Sequence, residues 1–155
     1  MTPIALVDML VDFLKNRVSE FCLGTNVPGA EPKAPQVIAG YLPEKKPNEK
    51  QDPPDIPHVI VRYLEDDNEE EGELAKVRVI TATYSKEETH GWRDTLNMAT
   101  RIKMEVEKRE FFGAYQVLSI KRELPEEQPF PVWIALLTIT LRAPQVVQEG
   151  IWNGE

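Results

Sequence analysis

The run from Val132 to Ala143 alternates so strictly that it fits a β-strand: Trp133, Ala135, Leu137, Ile139 and Leu141 make one wholly apolar face, because successive side chains of a strand point to opposite sides. Val132, Ile134 and Leu136 make the first half of the other face apolar too. Such a strand wants cover on both sides along half its length, more than one layer of helix supplies. The first helix of the chain or a neighbouring subunit is left to cover the far face.

The remaining patterns supply the partners of that strand. Thr2 caps and Pro3 opens a helix expected to run to about Phe21, with Leu6, Val7, Leu10, Val11, Leu14, Val18 and Phe21 at helical spacing. A second helix is expected from about Gly91 to Arg109, where Trp92, Leu96, Ala99, Ile102 and Val106 step by three and four. Either Thr89 caps it, or Ser85 and Glu88 form a capping box one turn earlier. His58 to Leu64 and Ala75 to Ser85 read as a hairpin whose tip is the acidic run Glu65 to Glu73, and Tyr115 to Leu124 reads as the strand before the last one.

Residues 24 to 57 hold most of the prolines, with Val37 to Ala39 as a short edge strand. A connection that long reads as a functional arm or a disordered insertion. The order is helix, edge strand, strand, strand, helix, strand, strand. This predicts an α+β fold, a mostly antiparallel sheet of four to five strands packed with two main helices. One domain is expected over residues 1 to 144, followed by a tail from 145 to 155.

Composition narrows the function classes. Apolar residues make up 41% of the 155 and charged residues 28%, ordinary globular usage. Cys22 is the single cysteine, which excludes an internal disulfide and fits a reducing compartment. The first apolar stretch, Ile4 to Leu14, is broken by Asp8 and Asp12 and reads as neither signal peptide nor membrane span. With 26 acidic against 18 basic residues the formal charge is −8, which repels phosphate backbones, so specific nucleic-acid binding is not expected.

Motifs that carry chemistry are missing. His58 and His90 have no second ligand at a zinc-type spacing, and Glu71 stands where a calcium loop over Asp66, Asn68 and Glu70 would need glycine. The scattered glycines form neither a phosphate loop nor a serine elbow. No catalytic residue, metal ligand or cofactor is therefore expected, and the chain reads as a protein that works through contacts with other subunits.

Two pieces carry a family resemblance: G-W-R-D-T-L-N at Gly91 to Asn97 and Q-P-F-P-V-W at Gln128 to Trp133. Together, across about residues 58 to 144, they resemble the tail terminator or tail completion proteins of tailed bacteriophages and prophages. The resemblance assigns Gly91, Trp92, Asp94, Leu96, Asn97, Pro129, Pro131 and Trp133 to the fold. It implies a structural subunit that forms a ring, a hexamer, on the end of the tail tube, ends tail growth and offers a surface to the head connector protein. It implies assembly in the host cytoplasm and then residence in the virion tail.

On that reading Val132, Ile134, Leu136, Tyr41, Leu42 and Trp152 are the candidate subunit contacts. Glu65, Asp66, Asp67, Glu69, Glu70 and Glu71 are candidates for an acidic loop facing the ring lumen or the tube. Another head–tail connector or neck protein, or a binding module outside phages, stands as the alternative.

Overall fold

The computed structural model describes residues 1–43 and 55–144. Helix α1 spans Pro3–Arg17, and the Thr2 hydroxyl accepts a hydrogen bond from the Ala5 amide at 3.1 Å. It stops earlier than the apolar spacing predicts. Val18 leaves the helical conformation and the Ser19 hydroxyl donates to the Asn16 carbonyl at 2.8 Å, yet Val18 stays buried and Phe21 half-buried against the core.

The strands are β1 (Gln36–Ala39), β2 (His58–Glu69), β3 (Gly72–Tyr84), β4 (Phe111–Phe112), β5 (Tyr115–Glu123) and β6 (Val132–Ala143), and helix α2 is Trp92–Arg109. They form one six-stranded sheet in the order β1-β2-β3-β6-β5-β4, in which β1 joins β2 in parallel and every other pair is antiparallel. The chain is an α+β protein. Its sheet has one strand more than the upper number expected, because Phe111–Phe112 turns through Gly113, at φ +62°, into a small hairpin with Tyr115.

Both helices lie on the same face. Leu6, Leu10 and Leu14 of α1 and Met98, Ala99, Ile102 and Val106 of α2 share one core with Val59, Val61, Val77, Val79, Ala135, Leu137, Ile139 and Leu141 of the sheet. Arg17 of α1 lies 3.3 Å from Glu105 of α2, and Arg101 of α2 pairs with Glu20 in the turn after α1. The first helix therefore does not cross to cover Val132, Ile134 and Leu136.

The start of α2 also differs from the expectation. Gly91 occupies the cap position without a side-chain cap; the Thr89 hydroxyl donates to Glu87 at 2.6 Å, and the Ser85 hydroxyl accepts from the Glu87 amide at 3.1 Å. The buried stripe is Thr95, Met98, Ala99, Ile102 and Val106, with Trp92 and Leu96 only half-buried at its margin. Thr95 goes inside because it has partners there. Its hydroxyl donates to the Thr81 carbonyl at 3.1 Å and lies 2.8 Å from the Thr81 hydroxyl, so the buried polar groups are satisfied.

The segment expected as an arm or insertion is folded onto the body over its described part. Leu23 and Lys33 exchange backbone hydrogen bonds at 2.9 Å, Asn26 accepts from the Ile56 amide at 3.4 Å, and Thr25 is buried. Residues 44–54 lie outside the described residues, as does the tail from 145 to 155.

Candidate interaction surface

Strand alternation sends the even-numbered residues of β3 and β6 to the face without helices. Among the described residues, no helix and no second sheet lies over it. The register arranges this face in rows. Tyr84 stands beside Val132; Ala82 beside Ile134; Ile60, Ile80 and Leu136 follow in line; and then Arg62, Arg78, Thr138 and Lys121 cross the sheet. One half of the face is thus apolar and the next row is basic.

Ile80, Tyr84, Val132, Ile134 and Leu136 are each half-buried, while Ile60 and Ala82 are buried. The three sequence candidates from β6 come together here with Ile80 and Tyr84 in one apolar patch. Tyr41 lies at the margin, 69% exposed, with the Arg62 guanidinium 4.1 Å over its ring, and Leu42 is half-buried beside it. Trp152 lies outside the described residues.

Gln128 is a contributor that sequence reasoning missed. Its side-chain nitrogen donates to the Ile134 carbonyl at 2.9 Å and its side-chain oxygen accepts from the Ile134 amide at 2.7 Å. The amide thereby fills the place of a neighbouring strand residue at Ile134, beyond the last β5–β6 pair, Glu123 with Leu136. A glutamine six residues before a strand position gives no such signal by itself.

The two pieces that carry the family resemblance meet in space. Gly91 packs directly against the Trp133 indole, whose Nε1 donates to the Ser85 carbonyl at 2.9 Å. Phe130 stands edge-on to Trp133 with centroids 5.9 Å apart, and the Ser85 amide donates to the Pro131 carbonyl at 2.9 Å. The Pro129 carbonyl accepts from the Val132 amide at 2.9 Å. Trp92 donates to the Thr89 carbonyl at 2.9 Å. Asp94 and Asn97 are exposed, Asp94 in the first turn of α2 where the helix dipole favours an acid.

The acidic run is strand, not loop. Glu65 pairs with Lys76, Asp66 with Ala75, Asp67 with Leu74, Asn68 with Glu73 and Glu69 with Gly72, leaving only Glu70 and Glu71 for the turn. Charge did not break the ladder because a backbone ladder needs only amides and carbonyls, and side chains of an open edge stay in water. β1 covers β2 only from His58 to Val61, so the acids line an uncovered edge among the described residues. Glu65 lies 3.7 Å from Lys76, Glu71 lies 3.1 Å from Arg142, and Asp66 accepts from the Tyr63 hydroxyl. Asp67, Glu69 and Glu70 make no ion pair among the described residues.

Burial, together with the Asp66 carboxyl beside it, holds the Glu73 carboxyl above the usual glutamate range. An acid whose folded value is raised stabilises the fold most in its protonated form, and that contribution is lost as the pH climbs through its ordinary value towards its folded one. Glu73→Gln should therefore melt at a higher temperature than the wild type at pH 7, with the gap closing below about pH 4, near the ordinary glutamate value. Thermal melts across that range check it; equal melting temperatures at pH 7 would refute it.

His58 is buried, its Nδ1 is 2.8 Å from the Asp55 carbonyl, and burial holds its pKa below the ordinary value. His90 is exposed in the turn before α2. Among the described residues no three His, Cys, Asp or Glu side chains come together around a space for a metal ion. A mostly apolar cleft of about 300 Å³ opens between the start of α1 and the β1–β2 edge, lined by Ile4, Val7, Tyr41 and Val61.

The fold is α+β, with both helices on one side of the sheet and a partly exposed apolar patch on the other. Compared with known protein families and curated proteins, the chain matches no family model and no curated sequence.

Proposed function

We propose that the chain is a structural subunit of a phage tail, assembling with copies of itself into a ring, a hexamer, that caps the tail tube. The ring ends tube growth and presents a surface to the head connector; its partners are itself, the tube protein and that connector. The observation that carries this reading is the partly exposed apolar face built by Ile80, Tyr84, Val132, Ile134 and Leu136. A folded core already sits on the other side of the sheet, so this apolar area is available for a neighbour rather than for a helix. The meeting of Gly91 with Trp133 supports the resemblance, because the two pieces that carry it join in one structural unit. The reading includes no enzyme activity and no cofactor.

The test is the solution mass by light scattering over a concentration series, with and without purified tail tubes. A discrete ring, free or tube-induced, is the expected result, and a monomer indifferent to tubes overturns the reading. Ile134→Asp should abolish the ring while lowering stability by less than about 2 kcal/mol, since the position is only half-buried. Intact assembly of that variant would remove the sheet face from the interface.

A further inference from the structure

Arg62 and Arg78 stand directly opposite each other on β2 and β3, on the helix-free face; Lys121 further along the same row already pairs with Glu123 at 3.1 Å. Like charges facing each other across a sheet repel. Arg62 is partly settled, since its Nε donates to the Gly40 carbonyl at 3.0 Å and its guanidinium covers Tyr41. Arg78 is not. Its Nε is shut off from solvent without a hydrogen-bond partner, and the side chain makes no ion pair among the described residues. The side chain is only half-buried, and a carboxylate, which matches the outer nitrogens of its fork, is the group that complements a guanidinium held without an acceptor.

The same chain carries Asp67, Glu69 and Glu70 without ion-pair partners, at the far end of the β2–β3 ribbon. Arg78 is six residues along β3 from Gly72, which at strand rise is about 20 Å. The ribbon is extended, so these acids cannot fold back onto the arginine of their own copy. Two copies of a chain with a formal charge of −8 repel unless they meet with opposite signs facing. The acidic turn and the basic row provide that orientation, and their contact is head-to-tail, the kind that closes into rings.

We propose that the β2–β3 turn of one copy, through Glu69 and Glu70, docks on Arg78 and its basic row in a second copy, beside the apolar patch. The inference rests on the ring reading above and assigns these acids to the joint between neighbours in place of the lumen. Buried charge pairs of this kind select orientation and partner as much as they add affinity.

The experiment compares the association of full-length wild type, Arg78→Glu, the tip variant Glu69→Arg with Glu70→Arg, and an equal mixture of the two variants, by light scattering at low and moderate salt. Each variant alone should associate at least ten-fold more weakly than the wild type, and the mixture should regain assembly, because each altered turn then faces an opposite charge. Raising salt should weaken the wild-type assembly. Glu69 and Glu70 are exposed, so the tip variant by itself decides the matter even if Arg78→Glu folds poorly. A wild type that assembles together with a tip variant that assembles equally well overturns this inference and leaves the ring reading standing. A wild type that stays monomeric with tail tubes overturns both.

Discussion

Gly91→Ala is expected to lower the stability of the protein by about 3 kcal/mol, the upper part of the range for forcing a methyl into filled space. Two effects compete at this position. Gly91 has helical backbone angles, so alanine meets no backbone strain, but at the cap position it gains little from helix propensity. A Cβ there would lie 2.6 Å from the Glu87 carbonyl oxygen and 2.6 Å from Cε2 of the Trp133 indole. Neither neighbour gives way cheaply: the carbonyl is backbone accepting from the Gly91 amide at 3.0 Å, and the indole is held by its own bond to Ser85. The clash therefore outweighs the propensity, and the melting temperature should fall by about 6 to 12 °C. In a Trp133→Leu background the loss should shrink, since the ring is gone and the two sites are coupled. A Gly91→Ala protein as stable as the wild type would mean that the contact between the two pieces is loose.

Phe112→Ala should cost about 3 to 5 kcal/mol, as for other fully buried aromatic truncations. Phe112 has no exposed area and stands edge-on to Phe13, centroids 5.3 Å apart, with the Arg109 guanidinium 4.5 Å over its ring. Arg17 covers the Phe13 ring at 4.3 Å. The residue thus joins the β4–β5 hairpin to α1 and to the end of α2, and alanine leaves a cavity where three elements meet. Urea denaturation of Phe112→Ala, Phe13→Ala and the double variant should give a coupling of about 0.5 to 1.5 kcal/mol. A loss below about 1 kcal/mol for Phe112→Ala would show that the hairpin is held elsewhere.

Where sequence reading succeeded, a single period dominated. The strict alternation of 132 to 143 and the three-four spacing of Leu6, Leu10 and Leu14 state which side each residue takes, and the structure follows them. It failed where a rule of composition replaced a period. A run of acids reads as a turn because acids favour water, but an open strand edge offers the same water without ending the ladder. Phe111–Phe112 was too short to show any period. Thr95 and Met98 displaced Trp92 and Leu96 from the buried stripe because the threonine finds Thr81 in the interior, a partner more than a dozen residues away. The same limit applies to the candidate surface. Val132, Ile134 and Leu136 were legible as apolar, whereas the row of Arg62, Arg78 and Lys121 exists only through the register of four strands.

The one-sided covering of the sheet also shapes how the subunit responds to temperature. Heat capacity rises on unfolding in proportion to the apolar area newly wetted, about 12 to 15 cal/mol/K per residue for ordinary domains. Ile80, Tyr84, Val132, Ile134 and Leu136 are partly wet before unfolding begins, so they give up less of that increment than covered residues would. The free subunit accordingly has a flatter stability curve than a chain of its length covered on both faces. If copies cover this face as proposed, the missing curvature is recovered on assembly, and that step then carries a negative heat-capacity change.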